Sequence, residues 1–147
     1  DQHMAVAKLA AADQVSWLIA HHLVFIHKAA REMRPSTIEY YLFRDPDLGR
    51  DLRMLVWADG AASLHPGQER FDMPSYQVLV ERIKAMGATA KGLPKPLISG
   101  GEIIKILKLK PGPQIGKLLM DVREAQLSGK VKTKAQALTL AKKQAKA

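Results

Sequence analysis

An all-α fold is predicted by three features: apolar residues recur at spacings of three and four, helix-capping patterns stand ahead of several of these runs, and the period-two alternation of strands is rare. Val15, Leu18, Ile19, His22, Leu23 and Ile26 form the first run, which ends before Pro35 because a proline disfavours helical backbone in the residue ahead of it. Ser36-Thr37-Ile38-Glu39 reads as a capping box, in which the Ser36 hydroxyl takes a first-turn N–H and Glu39 reaches back. A third helix is predicted from near Asp47 through Ala62, with Leu48, Leu52, Leu55 and Val56 on one face, until His65-Pro66-Gly67 stops it. Asp72-Met73-Pro74-Ser75 then offers two caps and a first-turn proline to a helix over 76–86.

The texture changes at 87–97, where two glycines and two prolines interrupt any periodicity. This divides the chain into a helical region at 1–88, a linker at 89–98 and a small basic helical region at 99–147. Ser99-Gly100-Gly101-Glu102 is a second capping box, opening a helix with Ile103, Ile104, Ile106 and Leu107 that Pro111 closes. Ile115, Leu118, Leu119, Val122 and Gln126 define the next helix, with Gly129 as its C-terminal cap, and Thr133-Lys134-Ala135-Gln136 caps the last one. The closing AKKQAKA is expected to fray. No internal repeat is visible.

With 147 residues, 47% of them apolar, the chain can bury one core of ordinary size. It has no cysteine, which excludes disulfides and thiolate metal sites and fits a reducing, cytoplasmic setting. No apolar run approaches the roughly 20 residues of a membrane span, and no signal peptide is visible at the start. The formal charge of +9 is concentrated: residues 93–147 hold twelve Lys and Arg against Glu102, Asp121 and Glu124, whereas 1–92 are balanced. Such asymmetry points to a polyanionic partner for the last third.

That third also holds the most specific local chemistry. In "LKLKPGPQIGKLLMDVREAQLSG", residues 107–129, a Pro-Gly-Pro knuckle joins two apolar runs. A helix starting near Gln114 would present unpaired N–H groups of Ile115, Gly116 and Lys117, and these together with the helix dipole suit a phosphate. Gly112 and Gly116 have no side chain to hold a sugar-phosphate backbone away, and Lys105, Lys108, Lys110 and Lys117 surround the same bend. The competing reading is a plain helical corner with solvated lysines. Trp17, Trp57, Tyr40, Tyr41 and Tyr76 all lie in the neutral part and are expected to pack in the core, while the basic part has no aromatic residue. Phosphate and shape contacts to folded RNA are therefore favoured over base stacking. His21, His22 and Asp59 are the only candidates for a metal site, as in a helical phosphohydrolase, although adjacent residues on a helix point about 100° apart. Nothing reads as a catalytic nucleophile or a nucleotide-binding loop.

Four segments carry a family resemblance: Leu97–Glu102, the knuckle KPGPQIGK at 110–117, EAQLSG at 124–129, and the run from Thr133 to Leu138. Together they resemble the C-terminal RNA-binding segment of bacterial CCA-adding tRNA nucleotidyltransferases and poly(A) polymerases. Upstream, "VSWLIAHHL", "ADGAAS" and "MPSYQVLVERI" are similar to the helices of the HD-type region that precedes it. The resemblance implies an HD-derived helical bundle followed by a basic tail with a helix-hairpin-helix-like knuckle. It implies tRNA as partner, and nucleotidyl transfer with Mg and CTP or ATP in a head domain that this chain does not contain, so no cofactor is expected here. The HD doublet is absent; Asp59 resembles the late aspartate of that set, and His3 is a candidate remnant of another histidine. Carried over position by position, the RNA-facing residues are Lys110, Gly112, Gln114, Gly116 and Lys117, to which charge and proximity add Lys105, Lys108 and Arg123. Two rival expectations are an HD-type metal-dependent phosphohydrolase and a protein interaction or dimerisation module.

Overall fold

The computed structural model of the protein describes residues 11–27, 30–62 and 74–145. Eight helices are found among them: α1 (Ala11–His21), α2 (Val24–His27), α3 (Pro35–Leu42), α4 (Pro46–Ala62), α5 (Pro74–Ala85), α6 (Gly100–Leu107), α7 (Pro113–Leu127) and α8 (Lys134–Ala145). No strand is present among the described residues beyond an isolated bridge, Thr89 with Gly92. The fold is all-α. The expected stop at His65-Pro66-Gly67, the cap at Asp72, the side chains of Ser75 and Ile26, and His3 lie outside the described residues.

Two compact units are distinguished: residues 1–33 with 37–82, and 34–36 with 83–147. The change of unit falls between Arg82 and Ile83, within α5, so the Gly- and Pro-rich stretch belongs with the basic part. Its attachment is visible in two hydrogen bonds from α7, Arg123 Nη1 to Pro94 O at 2.8 Å and Gln126 Nε2 to Lys95 O at 2.8 Å.

In the first unit α1 packs on α4, but the expected inner face of α1 is not the one buried. Val15 and Ile19 are 55% and 64% exposed, and no residue of α1 is fully buried. The helix breaks at His22-Leu23, and Phe25 of α2 becomes the buried anchor. Trp17 stacks on His21 with centroids 4.5 Å apart, and Tyr41 meets Trp17, His21 and Phe25. The aromatic residues are not all internal, as expected from their spacing: Tyr40 and Trp57 stand about half exposed, Tyr40 under the Arg44 guanidinium. The N-terminus of α4 is capped by Asp45, whose Oδ1 accepts from the N–H groups of Asp47 and Leu48, both at 3.1 Å, ahead of Pro46 in the first turn. Gly49 lets α4 approach α3, because a Cβ there would stand 2.1 Å from the Leu42 carbonyl oxygen. Arg82 ties the turn before α3 by donating to the carbonyls of Ala30, Arg31 and Met33.

The second unit is built on a single core of Ile98, Ile103, Ile115, Leu118, Val122, Val131, Ala137 and Ala141. α6, α7 and α8 pack pairwise around it. Alanines at 137 and 141, one turn apart, let α8 lie close to its neighbours. The expected capping box at Ser36 gives way to another arrangement. Helix α3 begins a residue earlier, at Pro35, and the Ser36 N–H donates to Glu124 Oε2 at 3.0 Å.

Candidate nucleic-acid interface

Three helices of the basic unit start in three different ways. At α6, Ser99 is the N-cap: Glu102 N–H donates to Ser99 Oγ and Ser99 N–H donates back to Glu102 Oε2 at 2.9 Å, a complete capping box. Glu102 also receives the Lys134 ammonium, which with the Ser99 N–H holds its carboxyl at about 2, well below the usual range. At α8, Gln136 Oε1 accepts from Lys132 and Thr133 N–H, and Gln136 N–H donates to Thr133 Oγ1. Both starts already hold their own oxygen acceptors.

The start of α7 does not. Its N-cap is Gly112, in extended backbone with no side-chain cap, and Pro113 at the first helical position brings no N–H at all. The Ile115 N–H donates to the Gly112 carbonyl at 3.0 Å. With the helix beginning at Pro113, the α-helical register pairs the N–H groups of Gly116 and Lys117 with the carbonyls of Gly112 and Pro113. The expected donor set of Ile115, Gly116 and Lys117 is therefore corrected: the N–H groups left at this end are those of Gly112 and Gln114. The cause is the proline, which moves the helix start forward from Gln114 and uses up the next amides internally.

The bend ahead of Gly112 is short. Lys108 ends α6 in the left-handed region, φ 53, a conformation that usually selects glycine. Lys105, Lys108, Lys110 and Lys117 are all exposed, and the Lys110 carbonyl accepts weakly from Gln114 Nε2 at 3.4 Å. Nothing lies within 4 Å of where a Cβ would stand at Gly112 or Gly116, so packing does not demand glycine at either place.

The structure does not gather all eight expected residues in one place. Two residues apart on a helix point to nearly opposite sides, so Gln114 and Gly116 diverge across α7. Arg123 lies ten residues beyond Pro113, about 15 Å along the axis. Its guanidinium is used in binding Pro94 O and Gln126 Oε1, the latter at 3.0 Å. Lys108, Lys110, Gly112, Gln114 and Lys117 remain around the bend, with Lys105 on the last turn of α6.

Two residues of interest were missed. Gln114, Lys117 and Asp121 share one face of α7 by i, i+3 and i+4 spacing, and with Leu109, Leu118 and Gln144 they line a cleft of about 480 Å³. Asp121 was legible from that spacing. Gln144 was not, because it stands in a segment that reads as a frayed tail, whereas α8 continues in order through Ala145.

The metal candidates are accounted for differently. His21 Nδ1 is 2.7 Å from the Trp17 carbonyl oxygen, and His22 Nδ1 is 2.7 Å from that of Ile19. Asp59 lies on α4. Among the described residues no group of three His, Cys, Asp or Glu side chains could hold a metal ion. No helix among them is long and apolar enough to cross a membrane.

Comparison with known proteins matches residues 74–141 to the family described as tRNA nucleotidyltransferase domain 2. The chain is 33% identical over 93 residues to an A-adding tRNA nucleotidyltransferase of Deinococcus radiodurans, covering 63% of this chain and 21% of that protein. It is 28% identical over 127 residues to a CC-adding tRNA nucleotidyltransferase of Thermus thermophilus, covering 85% and 26%. A CC-adding tRNA nucleotidyltransferase of Synechocystis is 42% identical over 48 residues, covering 33% and 12%. The chain thus spans about a quarter or less of the length of these relatives. No solved structure matches it.

Proposed function

Since the chain carries, over residues 74–141, the C-terminal region of the tRNA nucleotidyltransferase family, we propose that it is the RNA-binding portion of such a protein, holding the acceptor and T-arm side of tRNA by its phosphates. The observation that carries this reading is the unfilled start of α7. It presents the Gly112 and Gln114 amides and the positive end of a fifteen-residue helix amid Lys108, Lys110 and Lys117, with no side-chain oxygen in place. An RNA phosphate supplies that oxygen, and its charge meets the lysines. Glycine at 112 and 116, unneeded for packing, lets the sugar-phosphate chain come close.

On this reading the mechanism is positioning. Contacts to phosphate fix where the RNA lies and are tolerant of its sequence. Nucleotide addition, with Mg and CTP or ATP, belongs to a head domain outside this chain, and the chain itself needs no cofactor. A cytoplasmic setting accords with a tRNA partner.

If roughly four phosphates are neutralised, a plot of log affinity for tRNA against log salt has a slope on the order of −3 to −4. The double substitution Lys110→Glu with Lys117→Glu weakens binding at every salt concentration and leaves helicity by circular dichroism unchanged. A slope near zero, or unaltered binding by the folded double variant, would remove the reading.

A further inference from the structure

Beside the start of α7, the cleft holds a buried polar atom that the protein does not satisfy. Gln144 Oε1 is shielded from solvent and has no hydrogen-bond partner. An acceptor left in this way is costly to the free protein and suits a ligand that brings a donor. The surrounding chemistry narrows the ligand. Asp121 contributes a carboxylate, which repels a phosphate within the cleft, while Lys117 and Gln114 sit on the same face of α7 nearer its start. Leu109 and Leu118 supply apolar wall, and no aromatic side chain is present to stack a base. A neutral group that donates and sits next to a phosphate is what these residues fit.

We infer that this cleft is a ribose subsite, taking the 2′-hydroxyl of an RNA nucleotide whose phosphate lies at the start of α7. The hydroxyl donates to Gln144 Oε1 and, since it can both donate and accept, satisfies the amide in either orientation. Asp121 accepts from a second sugar hydroxyl or a water held by it. Lys117, one turn ahead of Asp121 on the same face, bridges sugar and phosphate. The subsite would let the chain tell RNA from DNA at a position where phosphate contacts alone cannot. This inference rests on the proposed phosphate role of the α7 start.

The test uses the full chain with two probes of one sequence, an acceptor–T-arm hairpin as RNA and the same hairpin as DNA, each titrated at several salt concentrations. Wild-type protein is expected to bind the RNA about fivefold to tenfold tighter, the worth of one hydrogen bond to a buried group. Gln144→Leu is expected to erase that ratio by lowering RNA affinity with DNA affinity unchanged, and to raise Tm because the orphaned oxygen is gone. Opposite signs for binding and stability are not expected of a merely structural glutamine. Asp121→Asn keeps the side chain's size and is expected to narrow the same ratio. Salt-dependent binding of both probes with no RNA preference, or a preference that survives in both variants, overturns the ribose subsite alone. Binding that does not depend on salt overturns the phosphate reading and the subsite with it.

Discussion

Helices α6 and α7 belong to one core, yet their N-termini are finished in opposite ways. At α6 the free amides are met from within the chain: Ser99 and Glu102 exchange hydrogen bonds, and the Lys134 ammonium adds a third contact to the carboxylate. At α7 there is a glycine, a proline and no side-chain acceptor. Since both helix ends carry the same positive pole, the difference lies in where the compensating negative charge comes from. In α6 it is built in, so the start serves stability. In α7 it is left to another molecule, and the lysines around the bend make a polyanion the natural supplier.

The largest way to disturb this comparison is to take away the floor on which both starts rest. Ile115, 6% exposed, packs beneath the first turn of α7, and Ile115→Ala is expected to cost about 2 to 5 kcal/mol in urea unfolding. A cost below about 1 kcal/mol would mean that the turn is not seated on the core as described.

A sharper way is to convert the open start into a closed one. Gly112 has extended backbone and open space around it, so Gly112→Asp installs an N-cap carboxylate without strain. It is expected to gain a few tenths of a kcal/mol in stability, since aspartate caps slightly better than glycine. Its tRNA affinity is expected to fall on the order of tenfold, because the carboxylate both fills and repels at the phosphate position. Binding equal to wild type would place the RNA elsewhere.

The reverse change, Ser99→Ala at α6, is expected to cost about 1 kcal/mol of stability with tRNA binding intact. Acid sharpens the same point. Glu102, held at about 2 against an unperturbed 4.5, stabilises the fold at all pH values above 4.5, and that contribution fades as pH falls toward 2, where the folded carboxyl takes up its proton. Glu102→Gln therefore loses stability relative to wild type at neutral pH, and the two converge near pH 2 in acid unfolding.

The features that were legible in the sequence are those set by local backbone chemistry. The box at Ser99, the paired cap of Thr133 with Gln136, and Gly129 at φ 75 closing α7 all appear where side-chain type and spacing put them. At Gly129 the N–H donates to Gln126 O and the next N–H, of Lys130, to Ala125 O, the bonds of a Schellman ending. What could not be read depends on the neighbour across the core. Periodicity says that Val15 and Ile19 share a face of α1, not that the face is left in water while Phe25 takes the interior. Charge marks Arg123 as a phosphate contact, but its guanidinium is used in holding the linker at Pro94. A glycine-rich bend suggests free amides, but only the start at Pro113 shows that they belong to Gly112 and Gln114. Gln144 escaped because a basic, alanine-rich end gives no sign of the cleft that it closes.

The most direct test of the contrast is an amide-resolved NMR titration of the chain with tRNA. The Gly112 and Gln114 amide signals are expected to shift with RNA concentration and to return when salt is raised, while those of Gly101 and Glu102 at the filled start of α6 stay in place. Shifts confined to the α6 amides, or none at Gly112 and Gln114 when the RNA is bound, would contradict the account.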